Sequence, residues 1–444
     1  MKKFVLVLFG IPLLFISCKK HDHNPHDKKF TVTIENVASP EMFLGSGIVN
    51  TPVGATSPGA IKTGNKYQFM VKAGKGQKLS FAVMLAATND AFFGPDGKGI
   101  ALYDNNGDPI SADVTDQVYL WDAGTEINEE PAVGPNTVTN QPGPNTGPAE
   151  NGVVQLISQV TTDHFKYPTV SEVLKVMVHH MSGYNFMVTI ANISQPNGLH
   201  TSKGDFPIPV SPGVWVISQG DNPLFTAGQP DRGQGIEHIA EDGNPTDLGQ
   251  FAAGVTGVLY PVSPGVWAVH KNGTMPVFTQ GMKDYGNGLE RIAEDANPTD
   301  LGMSIQSKQG VMESSVFAIP VGDANAGAIT PGKKYQFSFT AGEGDRLSFA
   351  TMFGQSNDLF YAPGDEGIGL FEKGRPLTGD ITSQISLWDA GTEKNEEPGY
   401  GPNQVQRQSA PNTGAMESKR IDKVSDKFTY PSTDKVIKVT ISYN

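Results

Sequence analysis

One segment of this chain occurs twice, and that duplication limits the folds open to it more than any other feature. Residues 120–126 read Leu-Trp-Asp-Ala-Gly-Thr-Glu and are followed, after one variable residue, by Asn-Glu-Glu-Pro. Residues 387–393 repeat the segment and its trailer, an offset of 387 − 120 = 267. The agreement extends well beyond the motif. Lys66–Phe69 returns as Lys334–Phe337, Leu79–Ala82 as Leu347–Ala350, Asn89 and Asp90 as Asn357 and Asp358, and Pro144–Gly147 as Pro411–Gly414. A period this long denotes a tandem pair of domains, since solenoid repeats recur every 20–50 residues or so. Each unit opens on a similar strand, Phe30-Thr-Val-Thr-Ile-Glu-Asn36 in one and Phe186-Met-Val-Thr-Ile-Ala-Asn192 in the other. The expected domains are therefore 30–182 and 183–444, divided between Met181 and Tyr184.

The pattern within each unit is that of strands. Among 444 residues there are 51 Gly and 32 Pro, and only 18% are charged, which favours short strands joined by many turns. Leu174, Val176 and Val178 alternate with Lys175, Met177 and His179, as on a half-buried strand. Long helical periodicity is absent. The expected class is all-β, with two antiparallel β-sandwich domains.

A smaller repeat lies inside the second unit. Val210-Ser-Pro-Gly-Val-Trp215 returns as Val262-Ser-Pro-Gly-Val-Trp267, and Gly235–Asp242 returns as Gly288–Asp295. Both copies continue into Asn-Pro-Thr-Asp-Leu-Gly, at Asn244 and Asn297. Residues 205–305 are expected to form a duplicated, mixed insertion of the second domain, with one short helix per copy stopped by Asn-Pro. Its Glu-Asp pairs read as solvated helix ends, and Trp215 and Trp267 as packing anchors.

Lys2 and Lys3 precede an apolar run from Phe4 to Ile16, the pattern of a secretory signal and too short for a comfortable membrane span. Cys18, the only cysteine, follows a Leu-Phe-Ile-Ser segment that resembles a bacterial lipobox, so residues 1–18 are expected to be a lipoprotein signal with Cys18 lipidated. Residues 19–29 read as a polar tether. Its His21, His23 and His26 could bind a transition metal weakly, though a solvated leader is the simpler reading. One cysteine allows no internal disulfide. The net charge of −13 argues against nucleic acid as a partner. The expected partners are the membrane, through the anchor, and an unknown extracellular protein or glycan.

The duplicated motif carries the chemistry. Asp122 and Glu126 flank Ala-Gly-Thr, a turn permissive enough to bring two carboxylates to one point, and Asp90 is the candidate third group. The second unit offers Asp358, Asp389 and Glu393. Hard oxygen donors on loops suit Ca²⁺. Two other readings stay open: paired carboxylates for glycoside hydrolysis, and an Asp that merely caps a turn beside a solvated Glu. No Ser-His-Asp set, phosphate loop or zinc-spaced group competes with these, so an enzyme is not expected.

At these residues the chain resembles the spondin N-terminal domain family. The resemblance is carried by Ser356-Asn-Asp-Leu-Phe360, Gly367-Ile-Gly-Leu-Phe371, the Leu-Trp-Asp-Ala-Gly-Thr-Glu segment and the Gly-Pro-Asn that follows it. It implies an antiparallel sandwich with one calcium held by loops at one end of each domain. The family's loop Asp corresponds to Asp90 and Asp358. Its Asp-Ala-Gly-Thr-Asp corresponds to Asp122 with Glu126, and to Asp389 with Glu393, where Glu replaces the last Asp and lengthens that arm by one methylene. Taken with the Cys18 lipobox, the resemblance leads to the expectation of a calcium-binding, lipid-anchored envelope protein, outer-membrane and periplasmic or surface-exposed, serving adhesion or recognition. The alternatives are a glycan-acting enzyme or accessory protein and a structural envelope protein.

Overall fold

A computed structural model describes residues 27–444; the signal segment, Cys18, His21, His23 and His26 lie outside the described residues. Lys28 and Lys29, expected in the tether, already belong to the first strand. In chain order the longer strands are β1 (Lys28–Asn36), β2 (Gly45–Val49), β3 (Lys66–Lys72), β4 (Lys78–Leu85), β5 (Ala91–Pro95), β6 (Val118–Asp122), β7 (Leu174–Ser182), β8 (Asn185–Asn192) and β9 (Val210–Ser218). After them come β10 (Val262–Lys271), β11 (Val311–Phe317), β12 (Lys334–Ala341), β13 (Asp345–Phe353), β14 (Leu359–Pro363), β15 (Ile385–Asp389) and β16 (Ile437–Tyr443). Four short helices, α1 (Ile236–Asp242), α2 (Thr246–Gly254), α3 (Leu289–Asp295) and α4 (Thr299–Gln306), complete the frame.

The chain is all-β in class and forms two antiparallel sandwiches. In the first, a sheet ordered β3-β8-β7 faces a sheet ordered β2-β9-β4-β5-β6. In the second, β12-β1-β16 faces β11-β10-β13-β14-β15. Tyr67, Phe81, Phe93, Phe186 and Ile190 pack between the sheets of the first, and Phe30, Ile34, Tyr335, Phe349 and Tyr361 between those of the second. A helix pair covers the outer face of each larger sheet, so each unit has three layers. Ile236, Ile239 and Leu248 pack on Phe92 and Trp121 in the first, and Leu289, Ile292 and Leu301 on Phe360 and Trp388 in the second.

The domain boundaries differ from the expected ones. β1 does not open the first sandwich. It runs between β12 and β16 of the second, and β8 runs between β3 and β7 of the first. Met181–Tyr184 is not a linker: Met181 and Ser182 end β7, and Gly183 and Tyr184 make the tight turn into β8. Residues 205–305 are not an appendage of the second domain. β9, α1 and α2 belong to the first sandwich, where β9 pairs with β2 and β4; β10, α3 and α4 belong to the second, where β10 pairs with β11 and β13. The first sandwich is thus one continuous stretch, roughly 41–257. It is inserted into the second after that sandwich's first strand, and it is a circularly permuted copy of it. Its two ends meet, since Met42 N donates to Val255 O at 2.9 Å, as an inserted domain requires.

Physical causes are visible in the motifs. In Ser-Pro-Gly the ladder register shifts between Val210 and Gly213, and Ser211 Oγ accepts Met84 N at 2.8 Å. Ser263 does the same for Met352 N at 2.9 Å. A Cβ at Gly213 would lie 2.0 Å from Ala82 O, and one at Gly265 2.2 Å from Ala350 O, so only glycine lets the bulged strand approach its neighbour. Trp215 stacks on Phe69 and Trp267 on Phe337, at 5.5 and 5.3 Å between ring centroids, as packing anchors. Each Asn-Pro separates two helices rather than ending one. Asn244 Oδ1 accepts Thr246 N at 3.1 Å and so starts α2, and Asn297 Oδ1 accepts Thr299 N at 3.0 Å and starts α4. The two sandwiches touch through the Lys72–Glu397 ion pair, Tyr184 stacked on Tyr400, and Gln77 Nε2 donating to Gly399 O at 2.6 Å.

Candidate metal centre

β5 pairs with β6, which brings the end of one strand, Asp122, opposite Ala91, the residue after Asp90. The Asp122-Ala-Gly-Thr-Glu126 turn then folds over Asp90. Gly124 takes φ 69°, and its N–H donates to Asp122 Oδ1 at 3.0 Å. Asp90 Oδ2 accepts the N–H groups of Thr125 and Glu126 at 2.9 and 3.1 Å. Residues 147–152 run antiparallel to this turn, with Glu150 N donating to Thr125 O at 2.9 Å and Gly152 N to Gly124 O at 2.7 Å. That pairing hangs the Glu150 carboxylate over the two aspartates. One carboxylate oxygen each from Asp90, Asp122 and Glu150 lie within 4.8 Å of one another, and Asp358, Asp389 and Glu417 form the same group in the second sandwich.

Four of the six expected ligands come together in this way: Asp90 with Asp122, and Asp358 with Asp389. Glu126 and Glu393 do not join them. Glu126 turns away to accept Asn89 Nδ2 at 3.1 Å and Gly147 N at 2.7 Å, and Glu393 accepts Asn357 Nδ2 at 3.0 Å and Gly414 N at 2.7 Å. These glutamates clamp the motif turn to the Pro-Asn-Thr-Gly segment. The third carboxylate is Glu150 or Glu417, which the sequence reading missed. The signal was present, because a Glu stands three residues after Pro-Asn-Thr-Gly in both units, again at an offset of 417 − 150 = 267.

The donor set is that of a hard cation. Asp90 and Asp122 are fully buried. Burial and then the Asp122 charge hold Asp90 well above the usual carboxyl range; burial raises Asp122, and burial followed by the Asp122 charge raises Glu150. Burial likewise raises Asp358 and Asp389. Glu150 Oε2 and Glu417 Oε1 are buried without a hydrogen-bond donor. A multivalent cation would satisfy these atoms and relieve the repulsion together. Two oxygens on one Ca²⁺ are at most about 5 Å apart, because each bond is near 2.4 Å, and the observed spacing lies within that limit. The two centres differ at two neighbouring positions: Lys419 Nζ sits 2.9 Å from Glu417 Oε2 where the first has Gly152, and Asp422 stands opposite Asp389 where the first has Gln155, whose Nε2 donates to Asp122 Oδ2 at 3.4 Å.

The helices reach the same loops. Glu241, expected as a solvated helix end, is buried, and its Oε1 stands 2.6 Å from Thr125 Oγ1, which stands 2.7 Å from Asp90 Oδ1. Glu294, Thr392 and Asp358 repeat the chain at 2.7 and 2.6 Å. A hydroxyl has one proton to donate, so two contacts this short to two carboxyls require a proton on one of them. Burial accordingly pushes Glu241 and Glu294 up to about 8. Folded-state values above the unfolded ones mean stability that is complete below the unfolded value and lost as pH rises through the folded one. In chelator, the melting temperature should therefore climb as pH is lowered from about 8 toward 5. Glu241→Gln with Glu294→Gln should flatten that slope in thermal melts; an unchanged slope would contradict the assignment.

No protein-family model matches this chain, and no curated protein matches it either.

Removing one of the three charges should weaken the first centre by roughly tenfold or more, equivalent to about 1.4 kcal/mol or more. Glu150→Gln is expected to do so in calcium titrations. Glu126→Gln, which keeps an oxygen for Gly147 N, should leave the affinity within a few-fold. The reverse order would restore Glu126 as the ligand.

Proposed function

We propose that this is a spondin-type, lipid-anchored protein of the bacterial cell envelope that binds one Ca²⁺ in each sandwich and serves adhesion or recognition. The observation that carries the reading is the pair of three-carboxylate centres at equivalent sandwich ends, each built on a fully buried Asp90 or Asp358. A bound Ca²⁺ would tie together three segments whose carboxylates otherwise repel: the Asp90 loop, the Asp122 turn and the segment bearing Glu150. Through Thr125 and Glu241 the same turn reaches α1, so the metal would also steady the helical layer and the loops around it.

Catalysis is the weaker alternative. Glycoside hydrolysis needs a carboxylic acid that can reach the glycosidic oxygen and a second carboxylate on the sugar. Asp90, Asp122 and Asp358 are fully buried, and Asp122 already caps its turn. Such groups can close around an ion of about 1 Å radius far more readily than around a sugar ring.

Cells displaying the chain should adhere to matrix- or glycan-coated surfaces in calcium and lose that adhesion in chelator or with Asp122→Asn plus Asp389→Asn. Adhesion indifferent to both would remove the role while leaving the metal sites standing. The anchor is tested separately. Cys18→Ser should abolish lipid labelling and release the protein to the soluble fraction, because stable anchoring needs more than one acyl chain and the variant would carry none. Retention on membranes after a high-salt wash would end the lipoprotein reading.

A further inference from the structure

The two sandwiches are closed by interchangeable strands. β1 and β8 share the pattern Phe-x-Val-Thr-Ile-x-Asn, and the inward residues are identical: Phe30, Val32, Ile34 and Asn36 in one, and Phe186, Val188, Ile190 and Asn192 in the other. All eight are buried. Their seats match at the Ile and Asn positions, while Phe30 lies opposite Phe339 and Tyr443 and Phe186 opposite Val71 and His180. Ile34 lies opposite Tyr335 and Val439, and Ile190 opposite Tyr67 and Val176. Asn36 Nδ2 donates to Tyr260 O and Ile329 O at 2.8 and 3.0 Å, and Asn192 Nδ2 donates to Ile61 O and Ile208 O at 3.0 and 2.7 Å.

The two strands differ in how they are connected. β8 follows β7 through the two residues Gly183 and Tyr184, so the first sandwich is closed by its immediate neighbour in sequence. The second is closed by a strand lying 437 − 36 = 401 residues before its partner β16. Residues 37–44 alone join β1 to β2, a span of roughly 26–29 Å at full extension. No turn binds β1 to either of its sheet neighbours.

We propose that the channel between β12 and β16 is a strand-acceptor site whose ligand is β1 of this chain, from the same copy or a second one, and that copies link by exchanging it. Every contact within the channel is the same whether β1 comes from its own chain or another, so only the connection decides between them. Because the ends of the first sandwich meet, own-chain closure runs through the short hinge 37–44, and that hinge sets whether β1 seats in its own chain or in a neighbour. A neighbour's β1 becomes competitive as protein concentration rises. The first sandwich cannot follow, because the β7–β8 turn keeps its closing strand local. The second copy is the fitting partner because the channel demands Phe, Val, Ile and Asn at alternate positions, and the chain itself carries that strand at its described N-terminal end.

Thr31 and Ser338 lie opposite each other on the outward face, with their hydroxyl oxygens 2.9 Å apart. In a Cys18→Ser background, chains bearing Thr31→Cys alone and chains bearing Ser338→Cys alone would be unfolded together, refolded and oxidised. A disulfide-linked pair of the two chain types, increasing with concentration, is the expected result. The control pair Gln68→Cys and Thr189→Cys, opposite each other in the first sandwich, should give no linked chains. The proposal fails if no Thr31–Ser338 pair forms between chains while a single chain carrying both cysteines closes its own disulfide. It fails equally if both positions link chains to the same extent.

Discussion

Saturating calcium should raise the melting temperature of this protein by roughly 5–11 °C for each site that governs unfolding. A ligand at a hundred times its dissociation constant stabilises the native state by about 2.7 kcal/mol. For a unit of 150–250 residues each kcal/mol shifts the midpoint by about 2–4 °C. The rise should disappear in Asp122→Asn with Asp389→Asn. In chelator the same double variant should be no less stable than the parent, because it removes two buried like-charge contacts, Asp90 with Asp122 and Asp358 with Asp389. Both outcomes are read from thermal melts with and without metal. A structural turn cap predicts the opposite pattern: lower stability in both conditions and no calcium response in the parent.

Phe30→Ala and Phe186→Ala should each cost about 3–5 kcal/mol, the usual range for emptying a fully buried phenylalanine site, but each in the sandwich that its place in the sequence would not suggest. Phe30 lies in the repeat containing the first centre, yet it packs with Phe339 and Phe371 in the second sandwich. Phe186 lies in the repeat containing the second centre, yet it packs against Tyr103 in the first. Hydrogen exchange should show protection lost over β12–β16 in the Phe30 variant and over β3–β7 in the Phe186 variant. Loss in the sandwich nearest in sequence would refute the crossed strands.

Much of this was legible in the sequence. Alternation along Leu174–His179, the duplicated motif and the Gly and Pro content pointed to antiparallel sandwiches, and the Asp90–Asp122 pairing followed from which residues recur. What could not be read was which copy of a strand goes where. Because β1 and β8 carry the same inward residues, local pattern is silent about whether Ile34 seats beside Tyr67 or Tyr335. Only the turn length at Gly183 and Tyr184 decides, by holding β8 to β7 and leaving the distant channel to β1. The same ambiguity hid the fate of residues 205–305, whose two halves are alike and divide between the sandwiches. Glu126 stands inside the repeated segment beside Asp122, and the sequence alone gives Glu150 no visible link to it. The antiparallel pairing of Glu150 N with Thr125 O brings the more distant residue closer in space, while Asn89 and Gly147 hold Glu126 elsewhere. Glu241 looked solvated because α1 ends in Glu-Asp, and nothing in the helix itself reveals that Thr125 lies beneath it.

The central claim is that each sandwich holds a calcium on one Glu and two Asp. Calorimetric titration of the Cys18→Ser chain with Ca²⁺ tests it most directly. The account predicts two ions per chain, with the second centre the weaker because Lys419 already neutralises part of Glu417. It predicts one ion per chain for Glu150→Gln with Asp122→Asn, and none when Glu417→Gln and Asp389→Asn are added. A titration showing no saturable binding in the parent, or two ions retained by the four-fold variant, would contradict it.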